Sequence, residues 1–335
     1  MEQPSFENIC YDCQVAVYNF LNELDLWLLS MTCKKFLELK PDYGLELSAK
    51  IIYHLQWRHG RLVNIAAMDG HLKIMKILLG SRIPDPDVIS DAASHGQLEM
   101  VKYLHSLGCP LKRDSLYAAA SSGDLDTLKY MMVHNPGAKD FPAPYRNPIM
   151  REMKTSNVSI IRVSRIVARH GYLHMIQWIR NAASHRFEIL ASIMAGEAAQ
   201  GGHIHVLEWL LENKYKFYPG VCSSAALGGQ LTTLRWLRSK GYELSIITFG
   251  MAARKGNIEI MNFLKEVGCP WSEKVCALTA LGGHLDALRW LRERGCPWDS
   301  RVYRKAKIND SEDEDIQQRH QDIINWAREN GCPED

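Results

Sequence analysis

One phrase recurs along this 335-residue chain at near-constant spacing, and it restricts the fold more than any other feature. It reads as two small residues, two variable residues, Gly, a polar residue, Leu or Ile, and then an apolar pattern closing on an aromatic and Leu. Ala92-Ala93-Ser94-His95-Gly96-Gln97-Leu98 runs on to Tyr103-Leu104, and Ala252-Ala253-Arg254-Lys255-Gly256-Asn257-Ile258 runs on to Phe263-Leu264. Thr279-Ala280-Leu281-Gly282-Gly283-His284-Leu285 closes on Trp290-Leu291 in the same way. The anchoring glycines are Gly70, Gly96, Gly123, Gly171, Gly202, Gly229, Gly256 and Gly283, the last four spaced by 27 residues, and a degenerate ninth copy ends around Ile323-Ile324-Asn325-Trp326.

The spacing within one copy dictates its local structure. Leu285, Leu288, Trp290 and Leu291 form a stripe about one helical face wide. Val275, Cys276, Thr279 and Ala280 predict a second, shorter helix before the glycine, with small contact residues that let neighbouring helices approach closely. The glycine serves the tight turn between them, where a positive φ costs it little. A helix–turn–helix of this size cannot bury its apolar face alone, so the copies must stack in single file. The expected fold is all-α, a helical solenoid of about 27-residue units over residues 45–335. The aromatic series Tyr103, Tyr130, Trp178, Trp209, Trp236, Phe263, Trp290 and Trp326 is expected in inter-repeat packing.

Composition narrows the function. Apolar residues at 46% and charged residues at 23% fit a folded chain. Forty basic against thirty-eight acidic side chains, net charge +2, provide no basic stripe for nucleic acid. No run of eighteen apolar residues predicts a membrane span, and Met1 to Asn8 lacks the pattern of a secretory signal. The nine cysteines are an odd number, which favours a reducing compartment, with the cytoplasm expected and the nucleus as the other option. A zinc reading fails on geometry, because Cys109, Cys269, Cys296 and Cys332 occupy the same loop of different units. Stacked helices lie about 8–10 Å apart, whereas a zinc ligand sits about 2 Å from its metal. Cys10 and Cys13 form a lone Cys-x-x-Cys on an amphipathic pattern and read as packing residues. With no phosphate loop and no nucleophile–base motif, neither a cofactor nor catalysis is expected.

Gly70-His71-Leu72-Lys73-Ile74-Met75-Lys76-Ile77-Leu78-Leu79 resembles the second-helix signature of ankyrin repeats, and the small pairs resemble the end of their first helix. Ankyrin units have 33 residues. The shortening here falls where those units carry a projecting β-hairpin, between Gly268 and Ala280. The Gly-Cys-Pro-Trp endings at 268–271 and 295–298 resemble the divergent ankyrin arrays of giant DNA viruses of amoebae and some protists.

Residues 1–44 do not carry the repeat. Ile9, Cys13, Val17 and Phe20-Leu21 recur at helical spacing, and Asp25 is a good N-cap for Leu26-Trp27-Leu28-Leu29 onward. Two helices this short bury too little to stand alone. They serve either as a cap on the array or as a docking module. The segment resembles an F-box, the helical motif that binds the Skp adaptor of cullin–RING ubiquitin ligases. Asp25-Leu26, Leu29 and Cys33-Lys34-Lys35-Phe36 match the family pattern, while its opening Leu-Pro reads Ile9-Cys10. The resemblance implies a Skp-family partner contacted through Ile9, Val17, Phe20, Leu21, Leu26, Leu29 and Phe36.

Positions that differ between copies of one chain show where packing does not choose the residue. The residues just before each turn glycine vary, among them Arg169-His170 and Arg254-Lys255. So does the position preceding the small pair, held by Asp91, Glu197, Ser224, Met251 and Leu278. In ankyrin-like arrays these line the concave face, so Asp91, Arg169, His170, Glu197, Arg254 and Lys255 are the candidate partner surface. Two stretches break the period: the Pro-rich 134–157 and the acidic 309–315, expected as a solvated loop. The expected function is non-enzymatic: recruitment of a target protein to a ubiquitin ligase by a chain that is monomeric outside that complex. The alternative is a scaffold that sequesters a partner without ubiquitin.

Overall fold

The computed structural model describes residues 61–79, 83–134, 157–182, 187–307 and 313–334. The N-terminal module with its adaptor-contact residues, the Pro-rich insertion at 135–156 and the start of the acidic stretch lie outside the described residues.

Among the described residues there are eighteen helices and no strand. They follow one another as nine pairs: α1 (Arg61–Met68) with α2 (Leu72–Leu79), α3 (Pro86–Ser94) with α4 (Leu98–Ser106), and α5 (Arg113–Ser122) with α6 (Leu125–His134). Next come α7 (Asn157–Arg169) with α8 (Leu173–Ala182), α9 (Phe187–Gly201) with α10 (Ile204–Glu212), and α11 (Val221–Leu227) with α12 (Leu231–Ser239). The last are α13 (Ile246–Arg254) with α14 (Ile258–Glu266), α15 (Glu273–Leu281) with α16 (Leu285–Glu293), and α17 (Arg301–Lys307) with α18 (Glu314–Glu329). Each first helix packs on the first helices before and after it and on its own partner, so the described residues form an all-α array of repeated helix pairs.

Local chemistry starts and stops these helices. Asp85 caps α3 by accepting from the Asp87 N–H at 3.0 Å, with Pro86 opening the helix. Ser245 and Thr248 form a reciprocal cap on α13, and Ser272 caps α15. At the turn inside a pair, the small residues lend their carbonyls: Gly96 N–H reaches Ala93 O at 3.1 Å and Gln97 N–H reaches Ala92 O at 3.0 Å. All eight glycines of the repeat phrase have positive φ, from 65° at Gly256 to 84° at Gly202. After the second helices Gly108, Gly241, Gly268, Gly295 and Gly331 make a second left-handed turn. In the α10 copy this place is held by Lys214, at φ 66°.

The two rows of helices pack by different means. First helices touch through alanine pairs such as Ala198-Ala199, Ala225-Ala226 and Ala252-Ala253, all fully buried. Gly228 closes α11 so near the previous turn that a methyl there would overlap the Gln200 carbonyl. Second helices bury aliphatic stripes such as Leu288 and Leu291, while the aromatic series is buried at Phe263 and Trp290 and half-buried elsewhere. Cations finish the cover. Lys76 lies 5.6 Å from the ring centre of Tyr103, Arg235 5.0 Å from Phe263 and Arg289 5.9 Å from Trp326, each reaching into the following pair.

Polar side chains also bridge successive pairs. The residue after the turn glycine points back onto the preceding turn. Gln97 donates to Met68 O at 3.0 Å, Tyr172 to Ser121 O at 3.0 Å, and His203 Nε2 bonds Arg169 O at 2.8 Å. The loop cysteines do likewise: Cys269 donates to Ser245 O at 3.4 Å and Cys332 to Asp299 O at 3.4 Å. Burial pushes the Cys222 and Cys269 thiols up to about 11, which keeps them protonated.

The last pair departs from the others. The end of the acidic stretch, expected as loop, is a helix start: Asp313 accepts from the Asp315 and Ile316 N–H groups, and Glu314 and Asp315 fill the first turn of α18. Carboxylates suit that end of a helix, where the dipole is positive. The ninth copy has no turn glycine. His320, inside α18, packs on Gly283 and takes the bridging place that a post-glycine residue holds in the other pairs.

Candidate functional site

The first-helix face opens into a groove across α7, α9 and α11, with a cavity of about 410 Å³. Helix α9 is its floor. Ile193, Gly196, Glu197 and Gln200 recur at i, i+3, i+4 and i+7, so they share one face. Gly196 leaves the middle of that face bare, and a Cβ there would meet only the Ser224 hydroxyl, at 3.4 Å. The far wall comes from α11 with Val221 and Ser224, the near wall from α7 with Ile161 and Arg165.

One end of the groove is polar. The Glu197 side chain is 9% exposed, and a carboxylate so enclosed requires charge partners. It has two. Arg165 Nε donates to one oxygen at 2.6 Å and Arg169 Nε to the other at 2.8 Å. Arg169 also reaches Gln200 Oε1 at 3.0 Å, and its own carbonyl accepts from His203. Burial lowers the His203 pKa, partly offset by that carbonyl bond, so the ring bridges the two turns as a neutral Nε2–H donor. Both guanidiniums stay about half exposed, at 54% and 48%. Two cations against one carboxylate leave this end with an excess positive charge. The other end is apolar and open: Ile161 is 37% and Tyr218 70% exposed.

Of the residues expected on a partner surface, Arg169 and Glu197 meet here as an ion pair. His170 stands beside them, exposed, bonding back to Ile166 O of its own helix at 2.9 Å and stacking on Tyr172. Asp91 lies on α3, two first helices earlier, where its carbonyl accepts from Ser94 and His95. Burial, then the neighbouring Asp87, raises its pKa. Arg254 and Lys255 end α13, beyond the groove, and are exposed. The expectation did not include Arg165, Gln200, Ile161, Ile193 or Tyr218. Gln200 was within reach of the same rule, since it stands two residues before Gly202 as Arg169 does before Gly171. Arg165 is one helical turn before Arg169, a spacing that signals a shared face.

Both oxygens of Glu197 are committed to guanidinium donors, and Ser192 Oγ donates to Lys216 O at 3.3 Å. The groove therefore presents guanidinium donors at one end and apolar surface at the other. Among the described residues no helix is long and apolar enough to cross a membrane. No family model and no curated protein matches the chain.

Proposed function

We propose that this chain is a non-enzymatic recruiting adaptor of a cullin–RING ubiquitin ligase, related to ankyrin-repeat proteins with an N-terminal F-box. The array holds a target protein on its first-helix face, and the N-terminal helices dock on a Skp-family subunit. Tethering then raises the local concentration of target lysines at the ligase without chemistry by this chain. The observation that carries the reading is the groove on α7, α9 and α11: a half-exposed cationic end beside an open apolar end, on an array of short helix pairs. The ligase link rests on the Asp25-Leu26, Leu29 and Cys33-Lys34-Lys35-Phe36 pattern.

The test is co-purification with a Skp-family subunit from a eukaryotic extract. The full chain is expected to retain it, and Leu29→Asp is expected to abolish it with an unchanged helical spectrum. Absence of the subunit from the unmutated preparation removes the ligase link. If a chain lacking residues 1–44 keeps its full cellular effect, the sequestering scaffold is the correct function.

A further inference from the structure

We infer that the groove over α9 recognises an extended segment of a partner protein that carries a carboxylate side chain two positions from a large apolar one. The inference rests on the recruiting role proposed above and gives its target a chemistry. Three observations lead to it.

The first is charge. Arg169 commits both its Nε and a terminal nitrogen, to Glu197 and Gln200, whereas Arg165 gives Glu197 its Nε alone and no partner among the described residues takes its terminal nitrogens. A half-exposed guanidinium with free donors in a fixed fork favours a carboxylate, which it can bind with two parallel bonds. Glu197 also holds both guanidiniums in place before the ligand arrives, which lowers the ordering cost of binding.

The second is spacing. Ile161 precedes Arg165 by four residues, and Ile193 precedes Glu197 by four. At about 1.5 Å per residue each pair is separated by about 6 Å along its helix. An extended chain advances about 3.3 Å per residue and turns alternate side chains to the same side. Residues i and i+2 of such a segment are about 6.6 Å apart and face the same way, so one fits the apolar end while the other meets the guanidiniums. The third is room. Gly196 removes a side chain between Ile193 and Gln200 on the floor, next to Glu197, and the cavity of about 410 Å³ accommodates two side chains and the backbone joining them.

The probe is a set of fluorescein-labelled nonapeptides on a Ser/Thr background, each with one Leu and one Glu at a spacing of one, two or three. Anisotropy with the full chain is expected to give the tightest binding at spacing two, and at least tenfold weaker binding when Glu is replaced by Gln. Arg165→Gln is expected to abolish that preference, since Arg169 still pairs Glu197 and keeps the fold. Gly196→Leu, which fills the floor, is expected to weaken every peptide, and an unchanged thermal transition confirms that both variants are folded. Three results overturn the inference: no binding at millimolar peptide, equal binding of Glu and Gln peptides, or a phosphoserine peptide binding more than tenfold tighter than the Glu peptide. Skp association is read separately. Loss of peptide binding with Skp retained sinks this inference alone, and the reverse sinks only the ligase link.

Discussion

Three glycines of a single helix pair separate the reasons for which glycine is used here. Gly220 precedes α11 at φ −73°, with nothing within 4 Å of where a Cβ would stand. Gly229 makes the turn at φ 75°, and its Cβ would meet only Asn257 Nδ2 at 3.4 Å. Gly228, between them in the same turn, has an ordinary φ of −80°, but its Cβ would overlap the Gln200 carbonyl, carbon and Cα of the preceding pair. Alanine at Gly220 meets neither strain nor neighbours, and it restricts the unfolded chain, so the change is expected to be neutral or to stabilise by about 0.5 kcal/mol. Alanine at Gly229 carries the left-handed conformation, at about 1 kcal/mol. Alanine at Gly228 must push two backbones apart, and backbone cannot swing aside as a side chain can. About 3 kcal/mol is expected, the upper range for overpacking. Urea unfolding followed by far-ultraviolet circular dichroism reads the series. If Gly228→Ala proves as mild as Gly229→Ala, the close backbone approach that holds the first helices together is wrong.

Other expectations follow from single residues. Lys214→Gly relieves the one left-handed non-glycine position among the described residues, and a rise in stability of about 1 kcal/mol is expected by urea unfolding. Arg301 sits between Glu273 and Asp299, at 2.8 and 2.7 Å, and holds both carboxyls below their ordinary values of 4.5 and 3.8. Their contribution is present above those values and fades as the pH falls through the lowered ones. The destabilisation caused by Arg301→Gln is thus expected to shrink between pH 6 and pH 2.5, and a pH-independent difference would contradict it. Burial lowers the pKa of His105, His203 and His284 below 6.5. Below that value the unfolded chain binds protons that the folded one resists, so the array is expected to lose stability from pH 7 to pH 5. A variant with Gln at all three positions is expected to have a flatter profile.

The array was legible in the sequence because its constraints repeat. A glycine needed at the same turn eight times, preceded by residues small enough for first helices to touch, leaves a pattern that no single copy would reveal. The Arg165–Glu197–Arg169 pairing occurs once, between helices some thirty residues apart, so no periodicity points to it. The cations over aromatics were half visible. Lys102-Tyr103, Arg235-Trp236 and Arg289-Trp290 recur, but only the structure shows that Arg235 and Arg289 reach the ring of the next pair rather than the neighbouring residue. Asp313, Glu314 and Asp315 read as loop by composition and became a helix start, because acidic residues suit a first turn as well as solvent.

Single-file stacking is the claim on which the groove and its role depend, and a distance between the ends of the array tests it most directly. Spin labels at the exposed positions Lys73 on α2 and Arg328 on α18 are eight steps apart, on the first and ninth pairs. At about 8–10 Å per step, single-file stacking gives a separation of about 60 Å or more by pulsed dipolar spectroscopy. A chain of this length closed into one globule has a radius of gyration of about 20 Å. A separation under about 40 Å would mean that the helix pairs close on one another, and the open groove would be lost with the array.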